Sequence, residues 1–186
     1  YKVNGYYLRA DDWEATNYAP TLGSQNEPNN LTGYDAINIY GESRYGSQTA
    51  VFSPAALPGT TGPTPVYRTG YREEDLTNYE TYSLKLQGSA YYKLPANFGT
   101  LSYWQNYAVG TTVYQGDNRY SVKDITFNQQ KVEWSHDNFN IKAYQTLEDA
   151  GNSYDLVFTA QQLLQQQKTD NRWYSDFIRG YREAYR

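Results

Sequence analysis

The chain holds no cysteine and no methionine, has one histidine in 186 residues, and nowhere strings together enough apolar residues for a membrane-crossing helix. The missing cysteines exclude disulfides, thiolate metal sites and cysteine nucleophiles within it. His136 stands beside Asp137 and Asn138 in a predicted turn; without a second histidine or any thiol, a transition-metal site or a histidine-based triad has no material. Basic residues are also sparse and scattered, and the net charge of -4 excludes a phosphate-backbone binder, so nucleic acid is not expected as a partner. The absent apolar run of ~18 residues excludes a transmembrane helix only, because barrel strands alternate and hide in a polar average. An initiator methionine and a signal peptide are missing too. Tyr1 already lies in an alternating strand pattern and Tyr181 to Arg186 in an uncapped helical one, so the chain reads as an internal piece of a larger protein.

What is abundant is tyrosine: 22 residues, within 17% aromatics, at a mean hydropathy of -0.87. Tyrosine suits strands, binding surfaces and membrane interfaces, because its ring is apolar and its tip polar. Its placement is more informative. From Thr81 to Leu94 the sequence alternates strictly, with Tyr82, Leu84, Leu86, Gly88, Ala90, Tyr92 and Leu94 on one face and Thr81, Ser83, Lys85, Gln87, Ser89, Tyr91 and Lys93 on the other. The two apolar-face tyrosines are ten residues apart. At ~3.3 Å per residue and a tilt of ~40° this is roughly 25 Å, the height of the apolar band of an outer-membrane barrel between its aromatic girdles. A half-buried strand of a soluble sandwich has the same period of two, but fourteen residues exceed the usual soluble strand.

Five strands are predicted, at about 1–13, 79–94, 100–114, 125–134 and 139–146. The connections alternate between long (14–78, 115–124, 147–186) and short (Pro95 to Gly99, Ser135 to Asn138), as an up-and-down membrane barrel requires. The third strand repeats the apolar face with Leu101, Tyr103, Tyr107, Val109, Thr111 and Val113, interrupted by Gln105. The fourth places Ile125 and Phe127 on one face and Val132 and Trp134 on the other, leaving its register open or bulged. The first long connection is Asn-, Gly- and Pro-rich, with Gln25 to Asn30 and Pro54 to Pro65 clearly irregular; its aromatics Tyr18, Tyr34, Tyr40, Tyr45 and Phe52 predict an ordered loop over the barrel mouth. In the last segment Leu156, Ala160, Leu163 and Leu164, then Trp173, Tyr174, Phe177, Ile178 and Tyr181, recur at helical spacing and predict two amphipathic helices packed on the rim. The fold class is thus all-β, an antiparallel transmembrane β-barrel fragment with long extracellular loops and a helical segment near its C-terminal end.

Four stretches in order, Tyr6-Tyr7-Leu8-Arg9-Ala10-Asp11-Asp12-Trp13-Glu14, Tyr67-Arg68-Thr69-Gly70-Tyr71, Thr112 to Tyr120 and Thr146 to Asp155, resemble the barrel of TonB-dependent outer-membrane receptors that carry an N-terminal carboxypeptidase-regulatory-like domain. The resemblance implies a bacterial outer-membrane location and a 22-stranded barrel, of which this chain supplies about five strands. It further implies an upstream plug and TonB box, the TonB-ExbB-ExbD energising complex, surrounding outer-membrane lipid, a surface lipoprotein or other outer-membrane proteins as partners, and a small imported nutrient: an iron chelate, an oligosaccharide or a peptide.

Within that frame Lys85, Gln87, Ser89, Tyr91, Ser102, Trp104 and Asn106 line the lumen and meet the plug, while Tyr82, Tyr92 and Tyr103 form the lipid-facing girdle. Trp13, Tyr34, Tyr40, Tyr114 and Arg119 offer ring faces and a guanidinium for ligand binding in the loops. The acidic groups Asp11-Asp12-Glu14, Glu73-Glu74-Asp75 and Glu148-Asp149 match no calcium-loop spacing and read as solvated rim charge. No cofactor, metal or catalytic constellation is expected. A passive barrel or porin-like adhesin without a plug, and a soluble carbohydrate-binding β-sandwich, are the alternative readings; a hydrolase lacks a nucleophile constellation.

Overall fold

The computed structural model describes residues 1–21, 32–41 and 50–186. Gln25 to Asn30 and Tyr45 lie outside the described residues. In chain order the elements are β1 (Lys2–Asp11), β2 (Ile39–Tyr40), β3 (Ala50–Phe52), β4 (Thr64–Val66), β5 (Tyr71–Arg72), β6 (Glu80–Lys93), β7 (Thr100–Gln115), β8 (Arg119–His136), β9 (Phe139–Asp149), β10 (Tyr154–Asp155), α1 (Leu156–Gln167) and α2 (Asp170–Ala184). The fold is mostly antiparallel sheet with two helices. The chain forms two compact units, one of residues 1–13 and 79–154, the other of 14–78 and 155–186.

The first unit is a meander in which β1 pairs β6, β6 pairs β7, β7 pairs β8 and β8 pairs β9, all antiparallel. Strict alternation fixes this register, because a slip of one residue would exchange the contents of the two faces. Cross-strand partners share a face: Leu84 stands opposite Tyr7 and Val109, and Val109 opposite Thr126. Among the described residues β1 pairs only with β6, and β9 only with β8, so the sheet is open and no closed barrel is seen. No described helix is long and apolar enough to cross a membrane, which leaves strands unaddressed.

Turn chemistry directs the reversals. Between β6 and β7, Ala96 and Asn97 take positive φ, and Gly99 at φ +89° brings its backbone so close to Ser135 that a Cβ there would lie 2.1 Å from the Ser135 carbonyl oxygen. Between β8 and β9 the backbone N–H of Asn138 donates to His136 Nδ1 at 3.2 Å, and the imidazole stacks on Phe139.

One predicted connection is corrected. Residues 115–124 are not a long loop: β7 runs to Gln115, Gly116 N–H donates to the Asn118 carbonyl at 2.8 Å, and β8 begins at Arg119. The period of two fails there because of a bulge. Gly110 pairs Ile125 but Thr112 pairs Val122, and Asp124 sits at φ +57° in the surplus backbone. The turn after β9 pins it: Asn152 N–H donates to the Lys123 carbonyl and Lys123 N–H to Ser153 Oγ. Beyond the bulge the register of β8 is regular, with Val132 and Trp134 on the face of Tyr103 and Leu101, and Phe127 and Ile125 on the opposite one.

The second unit is built differently. The small ladders β2 with β5 and β3 with β4 hold a core of Tyr34, Ala36 and Ile39, together with Leu57, Val66 and Tyr67. Both predicted helices form, and α1 buries Leu156, Ala160 and Leu164 within this unit. Asp155 caps α1 by accepting from Phe158 N–H at 2.9 Å. Arg68, 5% exposed, closes the joint between the helices: it donates to the Leu164 and Lys168 carbonyls at 2.6 Å each and meets Asp170 at 3.0 Å. A cation at a helix C-terminus satisfies its free carbonyls and its dipole together.

Candidate functional site

The polar face of the sheet gathers an array of chemically capable side chains. Parity along β6 puts Lys85, Gln87, Ser89 and Tyr91 on it, and pairing brings Asn106 opposite Gln87, Trp104 opposite Ser89 and Ser102 opposite Tyr91. All seven residues expected to share a surface therefore do so. Pairing extends the array across residues the sequence did not identify. Asn106 leads to Gln129 and Thr146, Trp104 to Lys131 and Tyr144, and Ser102 to Glu133 and Lys142. Counting back from the turn at Asp137 and Asn138 would have assigned these parities, since the bulge lies beyond them.

A cavity of about 440 Å³ is lined by Trp104, Asn106, Gln129, Lys131, Tyr144 and Thr146; Asn106 and Gln129 are shared with a second depression of about 250 Å³ that reaches Lys85, Gln87 and Phe127. Trp104 is held at its centre. Its Nε1 donates to the Tyr91 hydroxyl at 3.1 Å, the two rings meet edge-on at 5.4 Å, and Lys131 Nζ lies 3.8 Å from the indole centroid. Glu133 anchors Lys131 at 3.2 Å, accepts from Asn140 at 2.8 Å and is flanked by Lys142 at 3.8 Å. Tyr144, by contrast, is 82% exposed. The groove offers an oriented indole, an exposed phenol, amides that donate and accept, and cations held by a carboxylate. That is equipment for binding a polar ligand or a polar protein surface.

Of the five aromatic and basic loop candidates, two lie in the second unit and three in the first, where Arg119 meets Trp13. Tyr34 and Tyr40 are buried core residues of the second unit: the Tyr34 hydroxyl donates to the Tyr18 carbonyl, and the Tyr40 hydroxyl to Glu73 Oε2 at 2.8 Å. Neither presents a ring to a ligand. In the first unit Arg119 is only 3% exposed, donates to the Trp13 carbonyl at 2.6 Å and sits 5.1 Å from the Trp13 ring. Its guanidinium is a structural tie. Trp13 and Tyr114 are exposed, and Tyr114 stacks on Tyr120 at 6.4 Å.

Two acidic groups also depart from solvated rim charge. Glu73 is fully buried and accepts from Ala15 N–H at 3.3 Å as well as from Tyr40. Asp12 is half-buried at the end of β1, where its carboxylate accepts from Thr112 Oγ1 at 2.5 Å, Val113 N–H at 2.9 Å, Trp13 N–H at 2.8 Å and Thr81 Oγ1 at 3.3 Å. Burial alone would raise its pKa; the four donors outweigh it and hold the carboxyl below the ordinary aspartate value.

The opposite face carries Tyr82, Tyr92 and Tyr103 as expected from parity, with Tyr92 63% exposed and Tyr103 41%. Tyr82 is partly covered and donates to Asp124 at 2.6 Å. No family model matches the chain, and no curated protein or solved structure matches it.

Proposed function

We propose that this chain is part of the β-barrel of a TonB-dependent outer-membrane receptor, which binds a scarce nutrient outside the cell and admits it past a displaced plug. The observation that carries the reading is a meander of five strands, 10 to 18 residues long, with large side chains exposed on both faces. On one face stand Val3, Tyr7, Leu86, Tyr92, Leu101, Val132, Ile141 and Leu147; on the other stands the amide, hydroxyl and lysine array around Trp104. A soluble sheet covers its apolar face with a second layer, and the first unit contains none among its described residues. Lipid on one side and an aqueous or plug-filled lumen on the other account for both faces. In this reading the sheet's open edges pair with further barrel strands, the groove meets the plug or the passing ligand, and TonB with ExbB and ExbD supplies the energy.

The Trp104 and Tyr144 rings with their amide neighbours favour a second reading, a soluble carbohydrate-binding β-sandwich, which needs no detergent. The test compares two substitutions in the full-length protein refolded into lipid. Leu86→Arg is expected to destabilise by about 2–4 kcal/mol and Lys85→Arg, on the other face, by a few tenths of that. Equal costs, or a protein that remains monodisperse without detergent, would overturn the membrane reading.

A further inference from the structure

The two faces of the sheet differ in charge as well as in polarity. Up to the bulge the polar face carries Lys2, Lys85, Lys93, Lys131 and Lys142 against Glu133 and Glu148, so it is positive in a chain whose net charge is -4. Glu133 serves both lysines nearest it, Lys131 at 3.2 Å and Lys142 at 3.8 Å. Lys85 makes no ion pair among the described residues; its ammonium lies 5.7 Å from the Tyr6 ring. Lys85 and Lys131 stand at the two ends of the groove, whose depressions share Asn106 and Gln129 between them. From one lysine to the other is two strands across and four residues along, so their backbones are about 16 Å apart at ~4.8 Å per strand and ~3.3 Å per residue.

Each ammonium has an exposed ring beside it, Tyr6 at one end and Tyr144, its pairing partner on β9, at the other. The Lys131 ammonium already covers a face of the Trp104 indole, which leaves Tyr144 as the more accessible ring there. A matching ligand is anionic toward its ends, offers hydroxyls or amides to the carboxamides between, and has an apolar face for the rings. An extended peptide gains affinity by adding to a sheet edge, but the groove lies across β7 and β8, whose backbones are paired on both sides. Only side chains are on offer. A chain of uronic acids meets all the terms, with C–H faces for the rings, hydroxyls for the amides and carboxylates for the ammonium groups.

We propose that the groove binds an acidic oligosaccharide, and that Lys85 and Lys131 set its preference for charged over neutral sugar. The proposal rests on the reading above that a ligand passes this face, and the experiment separates the two. Full-length protein in lipid nanodiscs is titrated calorimetrically with tetragalacturonate and with its methyl ester, which keeps the rings and removes the charge. The acid is expected to bind about tenfold more tightly than the ester or better. Lys85→Gln and Lys131→Gln are each expected to weaken the acid by about tenfold, the effect of one charge-assisted hydrogen bond, and to leave the ester unchanged. Lys93→Gln, on the same face but outside the groove, reports bulk charge and is expected to alter neither. Equal affinity for acid and ester, no binding of either by a protein that has inserted in lipid, an equal loss in all three variants, or tighter binding of tetraglutamate than of tetragalacturonate overturns the proposal and leaves the membrane reading standing. Lysine-dependent binding of the acid by a protein that stays monodisperse without detergent upholds the proposal and overturns the membrane reading.

Discussion

The two units of this chain solve the problem of stability in opposite ways. In the unit of residues 14–78 and 155–186, Leu57, Val66 and Leu156 are completely buried, as is Glu73, and Arg68 is nearly so. Its buried ions Glu73 and Arg68 both make hydrogen bonds within the unit. In the sheet unit the most buried residues are Ser121, Arg119, Val113, Ser102 and Thr111, mostly polar and mostly near the bulge, whereas Leu86, Tyr92, Ile141 and Leu147 are about half exposed or more. The second unit resembles an ordinary water-soluble core. The first, the sheet, has its backbone hydrogen bonds but lacks a covered apolar layer, and a sheet in that condition depends on what surrounds it.

The sharpest way to break the comparison is to remove the ion that closes the soluble-type core. Arg68→Ala strands the Leu164 and Lys168 carbonyls and takes from Asp170 its cation, leaving it the Gln165 amide. The expected loss is about 3 kcal/mol, at the low end for a buried pair because Asp170 is half exposed. Trp173, 6.0 Å from the guanidinium, reports it as an earlier fluorescence transition in urea, while amide protection in β6 and β7 serves as the unchanged control. Arg68→Lys, which can reach one acceptor but not three, is expected to recover part of the loss.

A second, smaller effect belongs to the sheet. Gly99→Ala places a Cβ against the Ser135 carbonyl at a left-handed φ, so the turn must open and the β7 end of the ladder with it. About 2 kcal/mol is expected, read as loss of protection at Thr100 and Leu101 ahead of the rest of β7. If the loss spreads evenly over all five strands, the sheet is more cooperative than its exposed faces imply.

Much of this architecture was legible in the sequence, and the failures have physical causes. β1, β6 and β9 follow from alternation, and α1 and α2 from apolar residues three and four apart. The start of β8 was hidden because Lys123 and Asp124 occupy a bulge, which interrupts the period of two while the strand continues. Half of the groove was missed for a related reason: the opposed apolar pairs of β8 leave its register open, and Gln129, Lys131, Glu133 and Tyr144 take a face only when the count is carried back from the turn at Asp137 and Asn138. Tyr34 and Tyr40 were misjudged because a tyrosine in a polar stretch serves equally as a ligand platform or as a core ring with its hydroxyl satisfied. Only the partners, the Tyr18 carbonyl and Glu73, decide. Nothing local marks Arg68 as buried, since its acceptors lie roughly a hundred residues away.

The smallest predicted effect tests whether the bulge end of the sheet is held by charge. Asp12 has a folded-state pKa below its unfolded value, so its contribution is complete above the unfolded value of about 4 and fades as pH falls through the folded one. Asp12→Asn keeps one acceptor oxygen. If that oxygen keeps Thr112 and Val113, the amide NH2 faces the Trp13 N–H, donor against donor. About 1 kcal/mol should be lost at neutral pH, with Val113 N–H exchanging faster. Below about pH 4 the unfolded chain takes up its proton first, and at lower pH the folded wild-type carboxyl follows and surrenders the same bonds, so the gap between wild type and variant should close with acid. A gap that stays constant from pH 7 to pH 3 would mean that shape, not charge, holds β1 to β7, and the sheet would then match the buried unit in relying on packing.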